Sequence, residues 1–323
     1  MDLAAIRAAA RLLEAGTLVG MPTETVYGLA ADASNPDAVA AIFAAKGRPS
    51  NHPLIVHVAR DADLSRWAAE LPEPARQLIA AFWPGPLTLI LRRASRVPLA
   101  VTGGQDSVGL RCPAHPVAQA LLQEFRHGQG GLAAPSANRF GRVSPTTAQH
   151  VIDEFGTPGV GPLAAVLDGG QCDVGIESTI VDLTRLDTVG PVLLRPGRIS
   201  HEQLAQVLGV SLSLPDQAAP RVSGSLDAHY APQTPLVLVA TAELQRVVEA
   251  LQAKDKKIVT LRCQTDAHDY AHGLYASLRA LDDKGADLIL VEQPPQEPVW
   301  QGVNDRLRRA AFDSTGILAR LLS

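Results

Sequence analysis

Positive charge and hydroxyl groups gather at four places along the chain, each at the end of an apolar run or in a turn. The densest is AAKGRPSNHPLIVHV, residues 44–58, where Lys46, Arg48, His52 and His57 surround a turn that leads into the apolar stretch Leu54 to Val58. PTETVYGLAAD, residues 22–32, adds hydroxyls at Thr23, Thr25 and Tyr27. SVGLRCP, residues 107–113, ends an apolar run on Arg111, and a guanidinium with apolar neighbours requires an anionic partner. APSANRFGRVSP, residues 134–145, offers Ser136, Asn138, Ser144 and the backbone around Gly141, small neutral donors of the kind that surround a phosphate.

Few carboxylates accompany these groups; Glu24, Asp32 and Glu177 are the main candidates. No serine or cysteine nucleophile is paired locally with a histidine, and HExxH, GxxxxGK[ST] and GxGxxG are all missing from the sequence. Such a set suits the binding and activation of a polyanion by preorganised charge better than covalent or metalloprotease catalysis. Phosphate-ester or nucleotide chemistry is one reading. A non-catalytic RNA-binding or ribosome-associated module that uses a basic cleft is the alternative.

The bulk composition narrows the field. Residues 1–209 and 210–323 each carry a net charge of −2, and aromatics make up only 4% of the 323 residues, which speaks against a surface built throughout to grip nucleic acid. Residues 1–209 hold sixteen arginines and one lysine, and that lysine is Lys46. Cys112, Cys172 and Cys263 are odd in number and far apart, which fits buried small hydrophobes and neither disulfides nor zinc. With no apolar run of roughly 18 residues and no signal peptide, a cytoplasmic protein is expected.

The elements that must position these groups alternate. Helical spacing marks Leu3 to Glu14, Asp37 to Ala45, Glu73 to Phe82, Ala114 to Phe125 and Ala148 to Phe155. Short β-type runs lie between and after them at Thr17 to Met21, Leu54 to Val58, Leu87 to Leu91, Ser107 to Arg111, Gly131 to Ala134, Ala165 to Leu167, Ser178 to Leu183 and Val192 to Leu194. This predicts an α/β sheet covered by helices. Asn35-Pro36-Asp37 reads as a helix start and Gly47 as its stop, so Lys46 should sit at a helix end. Residues 210–235, rich in proline and small residues, read as an interdomain linker. Three βα units follow from 236 to 323, predicting a small, doubly wound, Rossmann-like α/β domain. Its GVNDRLRRAAF segment, residues 302–312, reads either as a packing helix with a solvated basic face or as a contact to the first domain or a partner.

Taken in order, PTETVYGL, AKGRP…NHPLIVH, VGLR, APSAN…SP, DGG…GIESTIVD and LLRPG resemble the YrdC-like domain of threonylcarbamoyl-AMP synthases over residues 1–209. HYAP at 229–232 and the three βα units are similar to the linker and C-terminal domain of the two-domain members. The resemblance implies a YrdC-like catalytic domain, a strongly twisted mixed open sheet with helices and a concave cleft, over which residues 210–235 close. It implies a nucleotidyltransferase that makes threonylcarbamoyl-AMP and pyrophosphate from L-threonine, bicarbonate or carbon dioxide, and ATP. Mg2+ would arrive with the nucleotide and no metal site of the protein's own is expected. The downstream threonylcarbamoyl transferase machinery and tRNA are implied as indirect partners.

By motif, threonine would be held by Thr25, His57, Arg111, Ala134 and Ser178. ATP would be held by Lys46, Arg48, His52, Ser107, Ser136, Asn138, Ser144, Arg195 and Tyr230, with Lys46 and Arg48 as the catalytic charges on the phosphates. The chain departs from the family at His52, where asparagine is usual, and at VSGSLDAHYAP, where the usual SPGMxYxHYAP begins with a proline and an aromatic that are lacking here.

Overall fold

Asp2 opens the first helix, α1 (Leu3–Glu14), by accepting hydrogen bonds from the amides of Ala4 and Ala5. Strands β1 (Leu18–Met21) and β2 (Gly28–Asp32) follow. Asn35 caps α2 (Pro36–Lys46), and Gly47, in the left-handed region at φ 63°, ends it, leaving Lys46 on the last turn as predicted. The chain then forms β3 (Ile55–Val58), α3 (Glu73–Phe82), β4 (Leu87–Arg92), α4 (Leu99–Thr102), β5 (Ser107–Arg111), α5 (Pro116–Glu124), β6 (Gly131–Ala133), α6 (Ala148–Phe155), β7 (Leu163–Val166), β8 (Thr179–Asp182), β9 (Val192–Arg195) and α7 (His201–Leu208). The structure is a computed structural model and describes every residue from 1 to 323 other than Ser225 and Thr315.

These strands form one open mixed sheet in the order β7-β1-β2-β6-β3-β5-β4-β8-β9. Its centre fixes the site. Parallel pairing of β3 with β5 sets His57 opposite Arg111, and antiparallel pairing of β5 with β4 sets Arg111 opposite Thr88. Because side chains alternate along a strand, Val56, Val58, Val108, Leu110, Leu89 and Leu91 enter the main core, while His57, Arg111 and Thr88 point the other way. On that second face α1 and α5 pack over β1, β2 and β6, and Val222 of the linker packs with Ile90, Ile180, Val192 and Leu194. Between these two covers lies the concavity.

The second unit runs β10 (Leu236–Val239), α8 (Thr241–Gln252), β11 (Ile258–Leu261), α9 (Ala267–Asp282), β12 (Leu288–Glu292), α10 (Gln301–Ala310) and α11 (Ile317–Leu322). Its three strands are parallel in the order β10-β12-β11, with apolar cores on both faces, the doubly wound arrangement predicted. Among the described residues no helix is long and apolar enough to cross a membrane.

Residues 210–235 contain no helix or strand among the described residues, but they are tied down along their length. Ser213 pairs with the backbone of Pro191 and Leu193, Arg221 with Gln105, and Ala231 with Gly141, and Asp282 accepts from the amides of Gln233 and Thr234. The two units also share a core, in which Val26, Val143 and Ile176 pack with Tyr270, Tyr275 and Trp300. The solvated-face reading of residues 302–312 is overturned at Arg306 and Arg309. Both are buried, while Arg308 stays exposed, because α10 packs against the loop before β8 and turns Arg306 onto Glu177.

Backbone approach at this joint is close enough to require glycine. Gly175 sits at φ 78°, and a Cβ there would lie 2.3 Å from the carbonyl oxygen of Ala271. Gly175→Ala should therefore lower unfolding free energy by about 1–3 kcal/mol, measured by denaturant titration; an unchanged midpoint would contradict the tight joint.

A candidate active site between the sheet and the linker

The five residues expected to hold threonine all line one cavity on the second face of the sheet: Thr25, His57, Arg111, Ala134 and Ser178. Ser136, Arg195 and Tyr230 of the ATP set line it too, together with Glu177, Ser223 and His229. Lys46, Arg48, His52, Ser107, Asn138 and Ser144 do not. They brace its walls or lie beside it.

At the threonine side, Arg111 donates through Nη2 to Glu24 Oε1 at 2.7 Å, both side chains being buried. Glu24 Oε2 accepts from the amide of Ala114. Nε of Arg111 is buried with no hydrogen-bond partner among the described residues, so the guanidinium is half used, with donor capacity left for an anion. The hydroxyls of Thr23 and Thr25 meet at 2.9 Å, and Thr23 also donates to the carbonyl of Val26. Tyr27 does not join them; its hydroxyl exchanges hydrogen bonds with the backbone of Gly169 and Gly170, a structural tie.

Lys46 crosses from the end of α2 to donate to the carbonyls of Ser136 and Asn138, and Asn138 in turn donates to the carbonyls of Arg139 and Arg142. Together they shape the loop that presents Ser136. Arg48 donates to the carbonyl of Pro53 and, at 3.5 Å, to the hydroxyl of Ser223 in the linker. Arg195 donates to the carbonyl of Ser178 through two nitrogens, to its hydroxyl, and to the carbonyl of Ser223 at 2.8 Å. Two cations expected to hold ATP thus hold the same linker residue. Ser107 lines an adjoining small pocket with Pro53, Gly109 and Ser223. His52 starts a run of rings in edge contact, His52 to Phe140, Phe140 to His229 and His229 to Tyr230. Tyr230 adopts a left-handed backbone at φ 61° and is buried.

Sequence reasoning missed Arg306 and Tyr275 of the second unit, both of which reach Glu177. A signal existed. Val303, Arg306, Leu307 and Ala310 fall on one helical stripe, so Arg306 occupies a core position in an otherwise apolar set.

Burial sets the charge states. It drives His57, next to Arg111, down to about 3, and His229, near Arg48, Lys46 and Arg195, also to about 3. Both imidazoles are neutral at physiological pH. Burial and the neighbouring Arg48 push Lys46 well below its ordinary value, and burial brings Arg48 down to about 10. For Glu177, burial acts upward, but Arg306, Arg195 and the hydrogen bonds from Ser144 and Arg306 outweigh it and hold the carboxylate at about 2.

The two histidines give stability a pH dependence of definite sign. Each takes up a proton in the unfolded chain below about pH 6.5 but not in the folded one until about pH 3, so acidification favours unfolding across that window. Between pH 6.5 and 5 the loss should be about 2 kcal/mol per histidine. Denaturant unfolding at the two pH values checks this, and a flat profile would show that these side chains are not buried neutral.

The Sua5/YciO/YrdC family model, described as "Telomere recombination", matches residues 11–197, and the model described as "Threonylcarbamoyl-AMP synthase, C-terminal domain" matches residues 199–312. The chain is 39% identical to the threonylcarbamoyl-AMP synthase of Pyrococcus abyssi, covering 95% of this chain and 94% of that protein. It is also 39% identical to that of Bacillus subtilis, covering 95% and 92%. The crystal structure of P. abyssi Sua5 complexed with L-threonine superposes with a TM-score of 0.88 at 35% identity, covering 96% of this chain and 95% of that one. The chain therefore belongs to the threonylcarbamoyl-AMP synthase family, in its two-domain form.

Proposed function

We propose that the protein is a nucleotidyltransferase that makes L-threonylcarbamoyl-AMP and pyrophosphate from L-threonine, bicarbonate or carbon dioxide, and ATP. The carrying observation is the gathering of Thr25, His57, Arg111, Ala134 and Ser178 with Ser136, Arg195 and Tyr230 around one cavity. Residues 1–209 supply the reacting surface, residues 210–235 cover it, and residues 236–323 back it.

The threonine carboxylate meets the unused edge of Arg111, and the paired hydroxyls of Thr23 and Thr25 meet its polar side chain. His57, being neutral, adds a hydrogen-bonding group without a competing charge. The threonine amine adds to carbon dioxide, and the carbamate oxygen attacks the α-phosphorus of ATP in line, expelling pyrophosphate. The protein contributes position and charge, with Arg48, Arg195 and Lys46 facing the phosphates and Ser136 at the nucleotide. For Arg48 and Arg195 this means exchanging Ser223 for phosphate oxygens.

Mg2+ enters bound to the nucleotide. The carboxylates at the cavity do not fit a resident ion, since Glu24 is committed to Arg111, and Glu177 to Ser144, Tyr275 and Arg306. Among the described residues no group of three metal-binding side chains is assembled. The product suits a cytoplasmic transferase that passes threonylcarbamoyl to a tRNA adenosine. The non-catalytic RNA-module reading fits less well, because Lys46, Arg48, Arg111 and Arg195 are all buried and none forms a surface track for a phosphate backbone.

A pyrophosphate-release assay with ATP and bicarbonate should depend on threonine; release that ignores threonine would sink the proposal. Lys46→Ala and Arg48→Ala should each lower turnover roughly 100- to 1,000-fold, the loss of about 2.7–4 kcal/mol typical of one preorganised donor. Arg111→Ala should instead raise the KM for threonine about 10–100-fold, the worth of a hydrogen bond to a charged group, and an unchanged threonine KM would remove its assigned role.

A further inference from the structure

Arg306 is carried by α10 of the C-terminal unit, yet its side chain is wholly removed from water. Each of its three guanidinium nitrogens reaches a partner, and most of those partners lie in the first unit. Nε donates to Glu177 Oε2 at 2.9 Å, Nη2 to the Glu177 carbonyl at 3.0 Å, and Nη1 to the Pro196 carbonyl at 2.7 Å and to Asp305 at 3.0 Å. One guanidinium thus pins both segments that enter the cavity from that side, the one before β8 and the one after β9.

What those segments carry makes the contact specific. Glu177 Oε1 accepts from Ser144 at 2.6 Å, so the side chain that Arg306 fixes in turn fixes Ser144. Pro196 follows Arg195 directly, and the Arg306 guanidinium lies 5.5 Å from the ring of Tyr230. Tyr275 of α9 adds a second bond to Glu177 Oε2 at 2.9 Å. Of the groups assigned to ATP, Tyr230 is therefore one contact from Arg306, Ser144 two through Glu177, and Arg195 adjoins Pro196, whose carbonyl Arg306 binds. Of the threonine groups, Ser178 follows Glu177 directly, but the groups that meet the carboxylate and side chain are held away from Arg306, Arg111 by Glu24 and Thr25 by Thr23. Approach is close enough that a Cβ on Gly302, one turn before Arg306, would lie 3.1 Å from the Cα of Gly197.

We propose that Arg306, acting through Glu177, is a positioning residue for the ATP half of the site, so that the C-terminal unit sets the geometry of Ser144, Arg195 and Tyr230 without touching substrate. This rests on the reading given under Proposed function. A fork that binds a carboxylate and two carbonyls at once cannot be replaced by an ammonium, which carries its charge at one point.

Arg306→Lys, which keeps the charge and loses the fork, should raise the KM for ATP about tenfold while threonine affinity stays within about twofold, since small displacements of positioning groups cost that much or more. Tyr275→Phe, which keeps the ring and the ion pair, should raise the ATP KM by a smaller factor in the same direction, and it decides the matter if Arg306→Lys does not fold. ATP KM values within twofold of the parent in folded variants, or equal losses of ATP and threonine affinity, would overturn the proposal. Calorimetric titration of ATP into the same proteins separates the two readings. A parent that binds ATP but releases pyrophosphate without threonine dependence defeats the proposed reaction, while the titrations still report on Arg306.

Discussion

A cation taken out of water persists only where hydrogen-bond acceptors replace the water it lost, and this molecule buries five of them around one concavity. Lys46, Arg48, Arg111, Arg195 and Arg306 are all buried. Three carboxylates, Glu24, Glu177 and Asp305, answer part of that charge, and backbone carbonyls and serine hydroxyls also accept from these cations. The arrangement is unequal by design of the sheet. Arg306 has a partner at each guanidinium nitrogen, whereas Arg111 and Arg48 each keep a buried Nε without a partner among the described residues. Saturated cations hold structure, and undersaturated ones attract an anion.

Strand alternation turns this chemistry toward a single space. Neighbours Val56 and Val58 give His57 its direction, and Val108 and Leu110 do the same for Arg111 on β5. Since β3 and β5 are paired in register, the two polar side chains emerge side by side. The same constraint explains why burial neutralises His57: it stands in an apolar ladder with a guanidinium as its nearest charge.

Much of this was legible in the sequence. Asn35 and Gly47 marked the helix that ends on Lys46, and the apolar runs around His57 and Arg111 marked their strands. The alternation of three βα units marked the second unit. Strand β2 was harder to read, because Gly28 to Asp32 is buried on both sides and carries small residues in place of a β-branched alternation. Helix α7 was hidden by its shortness, although Ser200 and Gln203 form a capping box. Motif order brought Lys46 and Asn138 to the site but did not show that both also hold the carbonyls and turns of the Ser136 loop. The helical stripe marks Arg306 as a core position, but its partner Glu177 lies 129 residues away in the chain and no local pattern names it.

The linker crosses the cavity with both ends fastened, at Ser213 against Pro191 and Leu193, and at Ala231 to Thr234 against Gly141 and Asp282. Between them it is held by Arg221 on Gln105, by Val222 in the apolar cluster with Ile90 and Ile180, and by Ser223 on Arg48 and Arg195. A strap fastened at both ends and again at mid-span is part of the cavity wall, and its middle yields to a nucleotide only where Ser223 gives up Arg48 and Arg195.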